Sequence, residues 1–215
     1  MPSVKPLSDY FASRYHMWRE TDYQVKQAHF QDLDKNGQSP KALVISCCDS
    51  RVHVTDIFGA DEGELFVHRN IANFVPMAEA SDGIHGTAAA IEYAVTALGV
   101  CHILVIGHAK CGGVQGCFDL CSGTNEALAL PSSFVGRWVR EMRPAFERVM
   151  AAGKADDIHE MERESVLVSL ENLTSYEFVK DAVAQGRLSL HGLWHDIGTG
   201  TLHHYVEETG SFEPV

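Results

Sequence analysis

Apolar and polar residues follow one another along this chain in blocks that predict strands separated by helices. Residues 42–46 form a short, β-branched run that is apolar up to its last residue, which is typical of a strand covered on both faces of a parallel sheet. Residues 64–68 and 102–107 have the same character. A fourth strand is predicted from Leu188, and residues 201–208 alternate weakly, as an edge strand would.

Helical patterns fill the intervals between these strands. Residues 83–98 are rich in alanine and repeat apolar side chains at helical spacing before Gly99 ends the pattern. Residues 132–150, with Pro144 as a kink or boundary, and residues 158–185 also read as helices. We therefore predict an α/β fold with a mainly parallel central sheet flanked by helices.

The N-terminal segment differs from the rest of the chain. It mixes aromatic and charged residues without strand alternation, and a cluster of turn formers, LDKNGQSP, follows it. We interpret residues 1–35 as a helical N-terminal arm. The length and the 45% apolar content suit a single domain over residues 1–215.

Charge and cysteine content narrow the class of partner. A formal net charge of -12 repels phosphate backbones and anionic lipid, so we expect no nucleic-acid and no membrane partner. No signal-peptide core and no apolar run of about 18 residues is present, which favours a cytoplasmic protein. The six cysteines are then better explained by metal binding or free thiols than by disulfides.

Two of the predicted strands end at residues that bind metals. In open parallel sheets the functional crevice lies beyond the carboxyl ends of the strands, and here two strands end at Cys47 and His108. Cys111 follows within one turn. Zinc accepts thiolate and imidazole together, so the three residues would fill three of four tetrahedral positions. A His-x-x-Cys pair alone is a weak signal, because such residues are often merely packed.

The segment CCDSRV strengthens that signal. Asp49 and Arg51, two residues apart beside the predicted metal ligand, look like a prearranged ion pair, although a surface salt bridge would have the same spacing. Together CCDSRV and GHAKCGG, with VHRNIANFVP between them, resemble the signature segments of the β-class carbonic anhydrases. The resemblance extends from about Gly37 to near the C-terminus.

This resemblance implies an enzyme. It implies that Cys47, His108 and Cys111 bind one zinc ion per subunit, while Asp49 and Arg51 form a catalytic dyad beside the open position. The reaction would be the reversible hydration of carbon dioxide to bicarbonate and a proton by zinc-bound hydroxide, which makes the protein a zinc lyase. It also implies a homodimer or a dimer-based higher oligomer in which the N-terminal arm wraps a partner.

The resemblance also separates two subgroups of the family. Bicarbonate-regulated members, in which the aspartate closes the zinc site, are similar to one another in a Trp and a Tyr where this chain has Val44 and His195; only Arg69 matches their pocket. We therefore expect the plant-like, always-open type. The resemblance then implies a substrate pocket formed by Gln38, Phe66, Ile71, Tyr93 and the Gly112 amide, although core packing would explain Ile71 equally well.

Three alternatives remain open on the sequence. The first is a hydrolase of carbon disulfide or carbonyl sulfide on the same scaffold. The second is a non-catalytic protein whose zinc only stabilises the fold. The third is a metal-free thiol switch, which the apolar approach to Cys47 disfavours because it does not lower a thiol pKa. We also expect Cys48, next to a ligand, to face the core.

Overall fold

A six-stranded mixed sheet forms the centre of the fold. The computed structural model describes residues 4–80, 85–154 and 157–215. Its strands are β1 Ala42–Cys47, β2 Leu65–Asn70, β3 His102–His108, β4 Ser189–His195, β5 Leu202–Val206 and β6 Ser211–Pro214. Their spatial order is β2-β1-β3-β4-β5-β6, and the first four are parallel. The two C-terminal strands are antiparallel additions.

The central strands are apolar because helices and loops cover both of their faces. All six residues of β1 are buried, and so are the last four of β3. In the register between these strands Ser46 lies opposite Ile106, so their carboxyl ends stop side by side. This register places Cys47 and His108 at the same edge of the sheet.

Ten α-helices are found in the described residues. They are α1 Asp9–Glu20, α2 Asp22–Asn36, α3 Val54–Phe58, α4 Gly86–Glu92, α5 Gly112–Cys121, α6 Glu126–Ala129, α7 Phe134–Arg140, α8 Arg143–Ala151, α9 Ile158–Leu173 and α10 Glu177–Ala184. Helix α9 packs closely on β3 and β4, because a Cβ atom at Gly107 would lie 2.7 Å from Val166. The sheet and its flanking helices confirm the predicted fold class.

The contacts divide the chain into two units, Met1–Ser39 and Pro40–Val215. The first unit contains α1 and α2, which confirms the predicted helical character of the arm. The helices are separated at Thr21, and the rings of Trp18 and Tyr23 meet across the break at 5.4 Å. That residues 1–215 act as one domain stays a prediction. None of the helices in the described ranges is long and apolar enough to cross a membrane.

Several element boundaries differ from the sequence prediction. The helix predicted for residues 83–98 starts at Gly86 and continues as a π-helical turn, Tyr93–Leu98, while residues 83 and 84 lie outside the described residues. Pro144 lies in the first turn of α8, so it marks a boundary between two helices. Residues 201–208 contain a strand, β5, as predicted, but the predicted edge position was wrong, because β6 pairs with β5 and takes that edge.

Candidate active site

Cys47, His108 and Cys111 form a compact buried cluster. Each offers one ligand atom, and these atoms all lie within 4.8 Å of one another. Cys47 ends β1 and His108 ends β3, while Cys111 caps the N-terminus of α5. The three predicted ligands, distant in sequence, are therefore brought together by the register of two parallel strands and one tight turn.

The distances between the ligand atoms and the hydrogen bonding of the imidazole fit a zinc ion. Two zinc–sulfur bonds of about 2.3 Å at a tetrahedral angle place the sulfurs about 3.8 Å apart, and the two Sγ atoms of Cys47 and Cys111 are 3.9 Å apart. The Nδ1 atom of His108 lies 3.0 Å from the Ala109 carbonyl oxygen. Since a carbonyl can only accept, Nδ1 carries a hydrogen, which leaves Nε2 as the nitrogen that could bind a metal.

The burial of that nitrogen supports the same interpretation. Nε2 of His108 has no hydrogen-bond partner among the described residues, although the side chain is fully buried. A buried polar atom without a partner costs roughly 1–3 kcal/mol unless a ligand satisfies it. The imidazole is thus oriented as a metal ligand must be, with Nε2 in the cluster of ligand atoms.

The Cys47 and Cys111 side chains are coupled through the contact between their sulfur atoms. The hydrogen bond from the Cys111 thiol lowers the pKa of Cys47 to about 4, against the opposing effect of burial. The same contact, together with burial, raises the pKa of Cys111. This contact favours the thiolate form of Cys47, and a cation in place of the proton between the sulfurs would stabilise both as thiolates.

Asp49 and Arg51 form a bidentate ion pair at the mouth of the cluster. The guanidinium donates from Nε to Oδ1 at 2.9 Å and from Nη2 to Oδ2 at 2.6 Å, and the Arg51 amide also donates to Oδ1. These hydrogen bonds hold the pKa of Asp49 well below its usual range. Oδ2 lies 4.0 Å from Nε2 of His108, so the carboxylate stands beside the cluster without touching it.

Three further hydrogen bonds from arginine side chains connect the surrounding loops. Arg51 Nη2 also donates to the Lys110 carbonyl at 3.1 Å, which joins the ion pair to the His108–Cys111 turn. Arg69 donates from Nε to the Cys47 carbonyl at 2.9 Å and from Nη2 to the Asp49 carbonyl at 2.7 Å. Lys110 has a φ of 57°, a left-handed backbone conformation that is strained for a residue other than glycine. The sharp turn between the two ligands requires it.

A shallow cavity of 360 Å³ opens over these residues. Its lining includes Ile71 and Gly112, whose role in substrate binding stays a prediction. Val135, which the sequence reasoning missed, lines it as well. The full lining is Cys47, Cys48, Asp49, Ile71, Gly112, Gly113 and Val135.

The remaining predicted pocket residues lie elsewhere in the described part of the chain. Phe66 on β2 and Tyr93 contact each other with ring centroids 5.8 Å apart, and they are not part of the cavity lining. Gln38 belongs to the N-terminal unit. A role for these three in substrate binding stays a prediction. Cys48 is exposed, so the expectation that it faces the core was wrong.

Glu162 is a site residue that the sequence reasoning missed. It is buried on α9, where Oε1 accepts from the Cys111 amide at 3.0 Å, and Oε2 accepts from Trp194 Nε1 at 3.2 Å and lies 2.8 Å from His159 Nδ1. The sequence contained a signal, because Glu162 lies at helical spacing from Val166 and Ser169 and so shares a face of the helix with residues that are buried. Glu162 therefore holds the backbone of the ligand Cys111 in place from the side of α9.

Loss of this anchor should be measurable. In Glu162→Ala the buried donors of Cys111 and Trp194 lose their acceptor, and since each such loss costs roughly 1–3 kcal/mol, we expect at least about 2 kcal/mol lower stability in urea unfolding. We also expect zinc affinity to fall about 10–100-fold. The matched control is Glu164→Ala on the same helix. It removes only an ion pair with Arg148 at the surface, so we expect the free energy of unfolding to fall by about 0–1 kcal/mol. Equal losses in the two variants would refute the anchoring role.

The turn after Cys111 also depends on a close backbone approach. A Cβ atom added at Gly113 would lie 2.8 Å from Ile71 Cγ2 and 2.9 Å from Ala72 Cβ, whereas one at Gly112 would meet nothing within 4 Å. We expect Gly113→Ala to lower the free energy of unfolding by about 1–3 kcal/mol and Gly112→Ala to leave it nearly unchanged. Thermal unfolding of both variants measures this, and similar melting temperatures would contradict it.

The fold and this cluster define a class of protein, an α/β metalloprotein with one imidazole and two thiolate ligands at the carboxyl edge of a parallel sheet. The chain belongs to the carbonic anhydrase family, whose profile matches residues 42–202. Beta carbonic anhydrase 3 of Arabidopsis thaliana is 36% identical over 188 residues, which is 86% of this chain and 71% of that protein.

Solved structures agree with this assignment. The β-carbonic anhydrase CcaA superposes with a TM-score of 0.86 at 29% identity, covering 96% of this chain and 98% of that one. A tetrameric β-carbonic anhydrase of Sordaria macrospora superposes with a TM-score of 0.76 at 28% identity, covering 91% and 94%. Members of the family are zinc lyases, and the Cys–His–Cys site for the metal is present here.

Proposed function

We propose that this protein catalyses the reversible hydration of carbon dioxide to bicarbonate and a proton. The observation that carries the proposal is the three-ligand cluster with a bidentate Asp49–Arg51 pair at its mouth. Cys47, His108 and Cys111 would hold the zinc ion. The ion supplies Lewis acidity, which lowers the pKa of a water molecule so that it can act as a nucleophile near neutral pH.

Asp49 would act by positioning the nucleophile. Its carboxylate accepts a hydrogen bond from the attacking oxygen and so directs the oxygen's lone pair toward the carbon of carbon dioxide. Arg51 keeps the carboxylate ionised and fixed in orientation through two parallel hydrogen bonds. The apolar side chains of Ile71 and Val135 suit an uncharged substrate, and the Gly112 amide would donate to one of its oxygens.

We place the protein in the always-open subgroup. The geometry that supports this is the engagement of both Asp49 oxygens by Arg51, which draws the carboxylate away from the fourth ligand position. Arg69, the one match to the regulated members' pocket, uses two of its nitrogens on the Cys47 and Asp49 carbonyls. X-ray absorption of the zinc protein at pH 7 should show two sulfur, one nitrogen and one exchangeable oxygen ligand. A carboxylate as fourth ligand would refute the assignment.

The direct test of function is stopped-flow hydration of carbon dioxide by the zinc-loaded protein. Carbon disulfide and carbonyl sulfide, offered in parallel, separate the rival hydrolase. Turnover of carbon dioxide far above the buffer rate supports the proposal, while turnover of the sulfur compounds alone supports the rival. A zinc-loaded protein inactive on all three substrates would leave a structural zinc as the better explanation.

We further propose that the protein works as a homodimer or a dimer-based higher oligomer in the cytoplasm. The N-terminal unit exposes large apolar side chains that a partner would cover, among them Tyr10, Phe11 and Met17. The Sordaria macrospora relative is tetrameric, which supports the same expectation. Sedimentation equilibrium should give at least a dimer, and a monomer at micromolar concentration would contradict the proposal.

A further inference from the structure

A second cluster of histidines lies on the sheet face that points away from α9. Along β4, Gly192 faces α9, because a Cβ atom added to it would lie 2.9 Å from Leu170 and 3.2 Å from Val166, so His191 and Leu193 point to the opposite face. On that face the structure has a cavity of 540 Å³ whose lining includes His102, His191 and His204, one from each of the strands β3, β4 and β5. This cavity shares no lining residue with the zinc site.

Two of these histidines already have the spacing of metal ligands. Nδ1 of His102 and Nε2 of His191 are 3.1 Å apart. Two bonds of about 2.1 Å from a metal to imidazole nitrogens place those nitrogens about 3.4 Å apart at a tetrahedral angle and about 3.0 Å apart at a right angle. The observed spacing lies between these values. The same spacing fits a hydrogen bond between the two rings, and a metal titration distinguishes the two cases.

A third histidine and a carboxylate line the same cavity. The ring of His204 has its centroid 5.9 Å from that of His191, a distance that rotation of the half-buried His204 side chain can shorten. Glu213 lies opposite His204 in the pairing of β5 and β6 and lines the same cavity. Burial, followed by the nearby His102 and His204, lowers the pKa of His191, so that ring is in the neutral form that binds metals.

We propose that His102, His191 and His204 form a second metal site, for a divalent transition metal that prefers imidazole ligands, such as Cu²⁺. Imidazole nitrogen is a preferred ligand of copper, nickel and zinc, whereas magnesium and calcium prefer oxygen. The formal net charge of -12 raises the local concentration of any cation. The site is independent of the catalytic proposal, because none of its residues touches the Cys47 cluster.

The test uses the full-length, zinc-loaded protein titrated with Cu²⁺ by calorimetry and electron paramagnetic resonance. We expect one equivalent of Cu²⁺ with nitrogen hyperfine splitting, bound while zinc content stays unchanged. His102→Asn and His191→Asn should each weaken this binding at least tenfold, and His204→Asn should weaken it less. The matched control is His53→Asn, an exposed histidine outside the cavity, which should bind as the wild type does.

Two results would overturn the proposal. One is the absence of a Cu²⁺ equivalent beyond the zinc in the wild-type protein. The other is equal Cu²⁺ affinity in the wild type and His191→Asn, which would mean that the two rings form only a hydrogen bond. Carbon dioxide hydration should be the same in all these zinc-loaded variants, so failure here leaves the proposed function untouched.

Discussion

Cys47→Ser should yield a folded protein that retains no zinc after dialysis and hydrates carbon dioxide at the uncatalysed rate. The Cys47 thiolate is buried within 4.8 Å of both other ligand atoms, so a serine hydroxyl, which is a poor zinc ligand when protonated, cannot replace it. Two ligands alone do not hold zinc against a chelator. Metal content by mass spectrometry and stopped-flow hydration on the same preparation measure the result.

The neighbouring cysteine provides the matched control. Cys48 is exposed, and its side chain is not one of the three clustered ligands, so Cys48→Ser should keep one zinc per subunit and the wild-type rate. His108→Ala should lose the metal as Cys47→Ser does, because Nε2 is the nitrogen that points into the cluster without another partner among the described residues. Full zinc occupancy in Cys47→Ser would contradict the assignment of the ligands.

The zinc cluster could be predicted from the sequence because strand ends have a fixed place in a parallel sheet. Once residues 42–46 and 102–107 are recognised as buried strands, Cys47 and His108 must meet at one edge. The ion pair was likewise predictable, since Asp49 and Arg51 are close enough in sequence to find each other in any tight turn. Local spacing and strand direction carry this information.

Contacts between remote elements were not predictable in the same way. Glu162 lies 51 residues from the Cys111 amide that it anchors, and only the packing of α9 on β3 and β4 brings them together. Val135, in the first turn of α7, likewise reaches the cavity only through packing between remote elements. Strand β6 could not be predicted, because Ser211–Pro214 is short and has no apolar pattern. It is a strand only through its pairing with β5.

The second large effect is a loss of activity, expected when the Asp49–Arg51 ion pair is changed. Asp49→Asn should keep zinc and lose activity by about 10²–10⁴-fold, the usual contribution of one well-placed group that handles a proton or its hydrogen bond. The amide keeps the shape of the side chain, but its NH₂ group donates where the carboxylate accepted, and its pairing with Arg51 is no longer charge-assisted. Asp56→Asn, on the exposed face of α3, is the control and should stay fully active.

Arg51→Ala tests why the carboxylate is paired. Without the guanidinium, Asp49 loses the partner that holds both its oxygens, and Oδ2 starts only 4.0 Å from His108 Nε2. We expect it to move onto the fourth ligand position, so that X-ray absorption shows a carboxylate ligand and activity falls as in Asp49→Asn.

If Arg51 acts only by restraining Asp49, the double variant Asp49→Asn, Arg51→Ala loses no more activity than Asp49→Asn and keeps an exchangeable oxygen ligand. A double variant much slower than Asp49→Asn would mean that the guanidinium contacts the substrate itself, and full activity in Asp49→Asn would remove the dyad from the mechanism altogether.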